Sequence, residues 1–398
     1  MSDTIPKGWK WVKLGEVLNS GLFELLDRYR IPLSDNQRNK MKDGILYPYY
    51  GANGIIDYVN RYIFDGEFIL VAEDGTVSTD KGKPVVQYVC GKFWVSNHAH
   101  VIKCENSITL KFLYYALKNV DIIPYITGAV QPKLNQRNLL DIEILYALDI
   151  NEQKAIAEVL SSIDDKIDLL HRQNKTLEEM AMTLFRQWFI EPARDGLPEG
   201  WEEVSLGDIF DIGIGRTPPR KESQWFSVNQ HDIRWISVKD LGSIDTYILN
   251  SSEFLKEEAV KEFNIPIIPD NTVVLSFKLT VGRIGITIGE MVSNEAIAHF
   301  KLKPDSKISS NYLYLFLKTL DFSAFGSTSS IAEAINTKII KEIKILVPND
   351  ELITSFQSLI NPVFQKIRLN TLEIQTLEKL RDTLLPKLMS GEVRVMKK

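Results

Sequence analysis

Ile5-Pro-Lys-Gly-Trp-Lys-Trp-Val-Lys-Leu-Gly-Glu16 stands near the start of the chain. Leu197-Pro-Glu-Gly-Trp-Glu-Glu-Val-Ser-Leu-Gly-Asp208 repeats it near the middle, keeping the Pro, Gly, Trp, Val, Leu and Gly in step. A duplication is read before any motif, because missing it misassigns everything else. Two further stretches return at the same spacing. Residues 108–121 (ITLKFLYYALKNVD) match 308–321 (ISSNYLYLFLKTLD), an amphipathic helix with Phe112, Leu113 and Leu117, or Tyr312, Leu313 and Leu317, on the core side. Residues 134–145 (LNQRNLLDIEIL) match 335–346 (INTKIIKEIKIL), so each copy closes the same way.

Between these anchors the copies diverge. Residues 20–95 share little with 212–290 beyond apolar runs that read as buried strands: Phe68–Val71 and Thr272–Phe277, Pro84–Val89 and Ile284–Ile288. Drift of loops after duplication would produce this divergence; so would a common frame carrying two different recognition faces.

Each copy ends in a long periodic stretch. From Asn151 onward Ile156, Leu160, Ile163, Ile167, Leu170, Leu177, Ala181, Leu184 and Trp188 follow alternating steps of four and three, the seam spacing of a coiled coil, broken only by Asn174. The pattern recurs as Phe356, Ile360, Val363, Ile367, Ile374, Leu377, Leu384 and Leu388, interrupted by Asn370 and Arg381. A helix of about 40 residues is roughly 60 Å long, too long to bury a one-sided stripe within its own small domain, so each stripe needs the other. Setting Asn174 against Asn370 in an antiparallel pair aligns Leu170 with Ile374, Ile167 with Leu377, Leu177 with Ile367, Ala181 with Val363, Leu184 with Ile360 and Trp188 with Phe356. Only Ile163 against Arg381 is poor, and there the arginine stem is expected to snorkel past the isoleucine. The two asparagines are expected to hydrogen-bond across the seam and fix its register at some cost in stability. Pro362 and Pro386 predict a kink or start near Asn361 and an end near Leu385. The same register brings residues 1–6 near residues 391–398.

The expected fold is therefore α/β (α+β), a pseudo-twofold internal repeat. Globular domains over residues 1–150 and 191–349 are separated by a central helix over 151–190 and a C-terminal helix and tail over 350–398, the two helices forming an antiparallel coiled coil.

With 398 residues and 44% hydrophobic content the chain can bury more than one core. It shows neither an apolar leader after Met1 nor an apolar run able to span a bilayer, and a cytoplasmic protein is expected. Cys90 and Cys104 form neither a disulfide framework nor a four-ligand zinc site. The net charge of −5 means that any nucleic-acid surface must be locally basic. Two different recognition faces on a rigid antiparallel spacer can engage one side of a duplex one to two turns apart, a turn being about 34–36 Å. The recognised sequence would then be bipartite and asymmetric.

Four segments add a family resemblance: Tyr49–Asp57 (YYGANGIID), Gly213–Pro218 (GIGRTP) leading to Trp235–Leu241 (WISVKDL), and Thr280–Ile286 (TVGRIGI). With the helices closing each copy, they resemble the DNA specificity subunit of type I restriction–modification systems over nearly the whole chain. The resemblance implies two target-recognition domains, one per half-site, joined by helices that also dock two methyltransferase subunits, with restriction/translocase subunits in the larger complex. Thr76-Val-Ser78 departs from the Thr-Val-Gly form of the second copy.

Motifs for chemistry are missing. There is no Asn-Pro-Pro-Tyr-type motif, no adenosylmethionine loop and no Gly-x4-Gly-Lys-Ser/Thr phosphate loop; Gly213-x-Gly215 and Gly282-x-x-Gly285 lack a third glycine and a following helix. No catalytic residue and no cofactor is assigned to this chain. S-adenosylmethionine, ATP and magnesium are expected on the partners, whose methyltransferase must flip its target adenine. His98-Ala-His100 lacks a nearby carboxylate or cysteine in sequence and is not assigned a metal.

Base edges call for Arg or Lys at guanine and Asn or Gln at adenine, while phosphates take any donor. In the first copy the candidates are Asn53, Thr76, Lys81, Lys83, Asn97, His98, Gln131 and Lys133. In the second they are Arg216, Lys239, Lys278, Thr280, Arg283, Asn294, Thr328, Ser329 and Lys338. Trp9 and Trp201 read as packing residues beside Pro and Gly. Two other functions stand beside this reading: a stand-alone nuclease holding magnesium on acids such as Glu73 and Asp74, and a structural adaptor that binds protein.

Overall fold

The computed structural model describes residues 5–128, 130–322 and 336–395. It contains two compact units, Met1–Lys166 with Leu377–Lys398, and Ile167–Thr376.

In the first unit the strands are β1 (Trp9–Lys13), β2 (Phe23–Leu25), β3 (Tyr47–Gly51), β4 (Gly54–Val59), β5 (Phe64–Ala72), β6 (Val86–Val95), β7 (Ala99–Cys104) and β8 (Glu143–Ala147). Six of them form a mixed sheet in the order β2-β7-β5-β6-β3-β4, while β1 pairs separately with β8. The apolar run in β5 is continuous because both of its faces are covered. Ile69 and Val71 face a core built with helix Ser107–Asn119, whereas Phe68 and Leu70 face a second core with Phe64, Val89 and Phe93. That helix starts where the Asn106 side chain accepts the amides of Ile108 and Thr109, and it buries Phe112, Leu113 and Leu117.

The second unit contains β9 (Glu202–Ser205), β10 (Phe210–Ile214), β11 (Phe226–Ser227), β12 (Ile233–Ile236), β13 (Tyr247–Ile248), β14 (Glu253–Leu255), β15 (Val273–Ser276), β16 (Ile284–Thr287), β17 (Val292–Ser293), β18 (Ile297–Leu302) and β19 (Lys344–Val347). They form sheets β10-β18-β15-β16-β13 and β11-β14-β12-β17, with β9 paired to β19. Here β15 is the strand covered twice: Val273 and Leu275 lie in one core and Val274 in another. Helix Ser310–Thr319 buries Tyr312, Leu313 and Leu317.

The residues kept between the copies have backbone reasons. Gly8 and Gly200 adopt left-handed φ of 87° and 77°, closing turns in which the Trp9 amide reaches Pro6 O at 3.0 Å and the Trp201 amide reaches Pro198 O at 3.1 Å. Both tryptophans are buried. Val12 pairs with Ile144, and Val204 with Ile345, so the opening strand of each copy is hydrogen-bonded to its closing strand. A Cβ on Gly15 would lie 3.1 Å from Leu140 O, and one on Gly207 would lie 3.1 Å from Lys341 Cβ, so close approach explains the second glycine.

Helix Ile150–Phe185 and helix Asp350–Met389 supply the long elements. Within the second unit Asn370 Nδ2 donates to Asn174 Oδ1 at 2.8 Å, with both residues buried. Trp188 and Phe356 have ring centroids 5.6 Å apart, so residue numbers rise along one helix as they fall along the other. The apolar stripe is wider than the four-three spacing alone predicts. Phe185, Phe189 and Phe364 are buried, while Leu184, Trp188 and Val363 are only part-buried. A π-helical turn over Arg186–Ile190, in which the Glu191 amide reaches Arg186 O at 2.9 Å, extends the central helix and carries the buried Phe189.

Two expectations need correction. The C-terminal helix neither starts near Asn361 nor ends near Leu385; it runs through Pro362 and Pro386 to Met389. Phe356, Ile360, Phe364 and Ile367 bury its face around the first proline, enough to offset a proline penalty of about 3 kcal/mol. Arg381 does not merely snorkel. In the first unit its Nη1 bonds Asp164 Oδ1 at 2.9 Å, and Asp164 Oδ2 also accepts from the Tyr115 hydroxyl at 2.9 Å. The terminal stretches do meet within their unit, as Arg394 Nη2 donates to Lys7 O at 2.7 Å; residues 1–4 and 396–398 lie outside the described residues. Among the described residues no helix is long and apolar enough to cross a membrane.

The asparagine pair makes a stability prediction. Asn370→Leu alone strips the Asn174 side-chain oxygen of its hydrogen bond inside an apolar seam and should cost about 1–3 kcal/mol. Asn174→Leu with Asn370→Leu should melt above the parent in a thermal scan. A double variant less stable than either single one would show that the pair stabilises the helices outright.

Candidate nucleic-acid interface

In the first unit a ladder of hydrogen bonds gathers three loops at one end of β5 and β7. The Glu73 amide reaches His98 O at 2.9 Å, and the Leu134 amide reaches Glu73 O at 2.7 Å. His98 Nδ1 donates to Asp74 Oδ1 at 2.7 Å. Thr76, Asn97, His98, Gln131 and Lys133 are exposed on these loops. Asn53, also exposed, occupies the β3–β4 turn, which is tied to the start of β6 by Gln87 Nε2 donating to Ala52 O at 3.0 Å. Two candidates sit apart from this cluster. Lys83 Nζ donates to Asn119 O at 2.7 Å, ending helix Ser107–Asn119, and Lys81 pairs with Asp382 at 3.1 Å.

Beneath the loops lies a network in which Arg30 and Asp27, which the sequence does not single out, join Glu73 and His100. Arg30 Nη1 bonds Glu73 Oε2 at 2.6 Å and Ala99 O at 2.9 Å. His100, fully buried, faces Asp27 Oδ2 at 2.6 Å and Leu134 O at 2.7 Å through its two ring nitrogens. Asp27, Glu73 and His100 stand close enough to share a cation. However, Arg30 already neutralises Glu73, and Lys133 lies 3.3 Å from its other oxygen. The acids a magnesium-dependent nuclease would need are thus engaged, Glu73 by two cations and Asp74 by His98. The buried network acts as a base for the loops.

The second unit gathers its loops differently. The Phe277 amide reaches Ala296 O at 2.9 Å, the Asn294 amide reaches Ile236 O at 3.1 Å, and the Arg216 amide reaches Ser293 O at 2.9 Å. Arg216, Lys278, Thr280 and Asn294 therefore come from adjoining segments. Lys239, exposed on the short helix Val238–Leu241, joins them through Arg283 on the 280–286 segment, whose Nη1 donates to Val238 O at 2.6 Å. Arg283 is the interior buttress here rather than a free arginine: a Cβ on Gly242 would fall 2.4 Å from its guanidinium. Lys338 lies on a different element, helix Thr337–Glu342, 3.9 Å from Glu342. Thr328 and Ser329 lie outside the described residues.

Glu295, Thr217 and Arg220 also belong to this surface, and none of them is among the candidates read from the sequence. The Thr217 hydroxyl, then the backbone amide of Glu295 itself, Lys278 and Arg220, hold the Glu295 carboxyl below its usual range against the opposing effect of burial. Arg220 forms two hydrogen bonds to Glu253, at 2.7 and 3.0 Å, and its guanidinium lies 4.5 Å from the ring centroids of Phe226 and Trp235. Below, the buried His299 is pushed down to about 3 by burial and stays neutral, with Nε2 2.6 Å from Ser293 Oγ. The Thr-Val-Ser and Thr-Val-Gly loops also differ: Gly282 is left-handed at φ 88°, whereas Ser78 is not among the residues with positive φ.

A sequence model described as the type I restriction modification DNA specificity domain matches residues 6–179 and again 198–380. The MjaIX specificity subunit of Methanocaldococcus jannaschii is 29% identical over 317 residues, covering 73% of this chain and 71% of that protein. The HindI specificity subunit of Haemophilus influenzae is 23% identical, covering 75% and 81%. The crystal structure of a type I restriction–modification S subunit from M. genitalium shares the fold at a TM-score of 0.58 and 19% identity, covering 98% of this chain and 97% of that one. Specificity subunits are non-catalytic, the catalysis lying on partner subunits. With both halves of the chain matched by the same domain, this protein belongs to the family of type I restriction–modification DNA specificity subunits.

Proposed function

We propose that residues 1–150 and 191–349 are two target-recognition domains that read the two halves of a bipartite, asymmetric duplex DNA site. The observation that carries this is one frame used twice with different loop chemistry. The specificity domain matches twice, yet in the shared hydrogen-bond register exposed Asn97 and His98 in one copy stand where the other has Glu295 and Ala296. The helices over 151–190 and 350–398 form an antiparallel coiled coil about the pseudo-twofold of the repeat. Their register is set by Asn174 and Asn370 and in turn sets the separation of the half-sites. This spacer docks two methyltransferase subunits that methylate adenine, with restriction/translocase subunits completing the complex. S-adenosylmethionine, ATP and magnesium act on those partners, in the cytoplasm. Asn53, Thr76, Asn97, His98, Gln131 and Lys133 in the first domain, and Arg216, Lys239, Lys278, Thr280 and Asn294 in the second, supply the DNA contacts; Thr328, Ser329, Lys81 and Lys338 extend the set.

Base-resolution methylome sequencing of cells expressing the chain with its methyltransferase should reveal a split, non-palindromic motif. Exchanging residues 1–150 for those of a relative should rewrite one half only. A continuous palindrome would refute the two-reader proposal.

Single substitutions should divide into two groups. Lys83→Ala and Arg283→Ala each remove a donor from a backbone carbonyl and should lower the melting temperature. Asn53→Ala, Asn97→Ala and Lys239→Ala should leave stability within about 0.5 kcal/mol and weaken duplex binding by the assembled complex roughly tenfold, in a titration that itself falls steeply with salt. Equal stability losses in both groups would remove the exposed residues from the interface.

A further inference from the structure

The β15–β16 hairpin ends in Lys278-Leu279-Thr280-Val281, and its tip contradicts ordinary folding preferences twice. Leu279 is 88% exposed, and its backbone is left-handed at φ 65°, a conformation that a branched side chain resists. The corresponding tip of the first unit shows what folding alone requires. There Asp74-Gly75-Thr76-Val77 leaves the sheet at the same register, after Ala72 pairs with Ala99 and the Glu73 amide bonds His98 O. In the second unit Ser276 pairs with Ile297 and the Phe277 amide bonds Ala296 O. Gly75 occupies the position of Leu279 and is also left-handed, at φ 74°. Glycine is the unstrained residue for that turn.

Leu279 therefore adds strain and exposed apolar surface that the turn does not need. The tip is nevertheless held firmly: Ser276 Oγ donates to Thr280 O at 2.6 Å and accepts the Arg283 amide at 3.0 Å, and the Gly282 amide bonds Ser276 O at 3.0 Å. A strained residue kept at a rigid loop tip signals a role in the bound state. Lys278 and Thr280 flank it, a cation and a hydroxyl suited to phosphates, and a two-stranded ribbon is of a size that enters the major groove. The feature there that an aliphatic side chain recognises is the C5 methyl of thymine.

Resting on the DNA-reading function above, we propose that Leu279 is a specificity-determining residue of the second domain and contacts the C5 methyl of a thymine in its half-site. The test uses the complex assembled with its methyltransferase subunits and a duplex carrying the motif found by methylome sequencing. Thymines of the second half-site are replaced one at a time by uracil, which lacks only the methyl. The wild-type complex should lose affinity several-fold at one such position. Leu279→Gly should bind the unmodified duplex roughly tenfold more weakly, respond to none of the replacements, and melt at or above the wild-type temperature, a combination that a merely structural leucine would not give. A second half-site without thymine overturns the proposal, as does a Leu279→Gly complex that keeps wild-type affinity and the wild-type uracil response. A wild-type complex that binds no duplex at low salt would instead defeat the DNA-reading function itself.

Discussion

The pairing of each unit's opening strand with its closing strand is the constraint on which the rest depends. In the first unit β1 bonds β8, so residues far apart in sequence are held one strand spacing apart. The Leu148 amide then reaches Gly8 O at 2.9 Å, and Gln153 Nε2 reaches Ala147 O at 2.8 Å, so the central helix departs from beside the Pro6–Trp9 turn. The end of the C-terminal helix returns to that turn, where a Cβ on Gly391 would lie 2.6 Å from Pro6 Cγ. In the second unit β9 and β19 repeat the device, and the Leu206 amide bonds Ile343 O as the Leu14 amide bonds Ile142 O. A loop between these strands can change its chemistry without moving the helix that follows.

That constraint explains which parts of the fold were legible in the sequence. Pro6, Gly8, Trp9, Val12, Leu14 and Gly15 return in the second copy because a left-handed turn, a buried ring, a strand pair and a close backbone approach leave few alternatives. The helical stripes were legible because burial over many turns imposes a period. Their width was not: Phe185, Phe189 and Phe364 are buried by the globular part of the second unit as well as by the partner helix, and a seam spacing describes only one of those two surfaces. Arg381 looked like a defect in the stripe because its partners, Asp164 and Tyr115, come from two other segments. Prolines misled for a related reason, since a helix held along its length tolerates a lost hydrogen bond that a free helix would not.

The candidate surface was legible as loops rather than as residues. Polar side chains between apolar runs point to the loops that carry Thr76, Asn97 and Lys278. Residue type alone could not separate Arg283, which braces Val238 and Gly242, or Lys83, which caps a helix, from donors free to meet a ligand. Conversely, Glu295 and Leu279 have the wrong chemistry for a search based on positive charge and amides. The signal that would have found Leu279 was positional: it precedes Thr-Val where the first copy has glycine.

The bases of the two surfaces use opposite electrostatic solutions. In the first unit Arg30 and Lys133 pair with Asp27 and Glu73 in an ionic network under the loops, and His100 hydrogen-bonds Asp27. In the second, His299 stays neutral against Ser293, because burial costs its cation more than any neighbour returns. A paired charge fixes direction, since each member must keep its partners or stand alone in a poorly solvating interior. A neutral pair asks only for packing and one hydrogen bond. The second surface rests on this neutral pair and on the Arg283 guanidinium bonded to Val238 O, while Lys278, Glu295 and Arg220 interact with one another at the rim. In the first unit Lys133 and Glu73 couple rim to base, so a change at Lys133 must also answer to Arg30 and His100. Two domains built on one frame thus differ in how freely their outward chemistry can be exchanged, and the second is the less constrained.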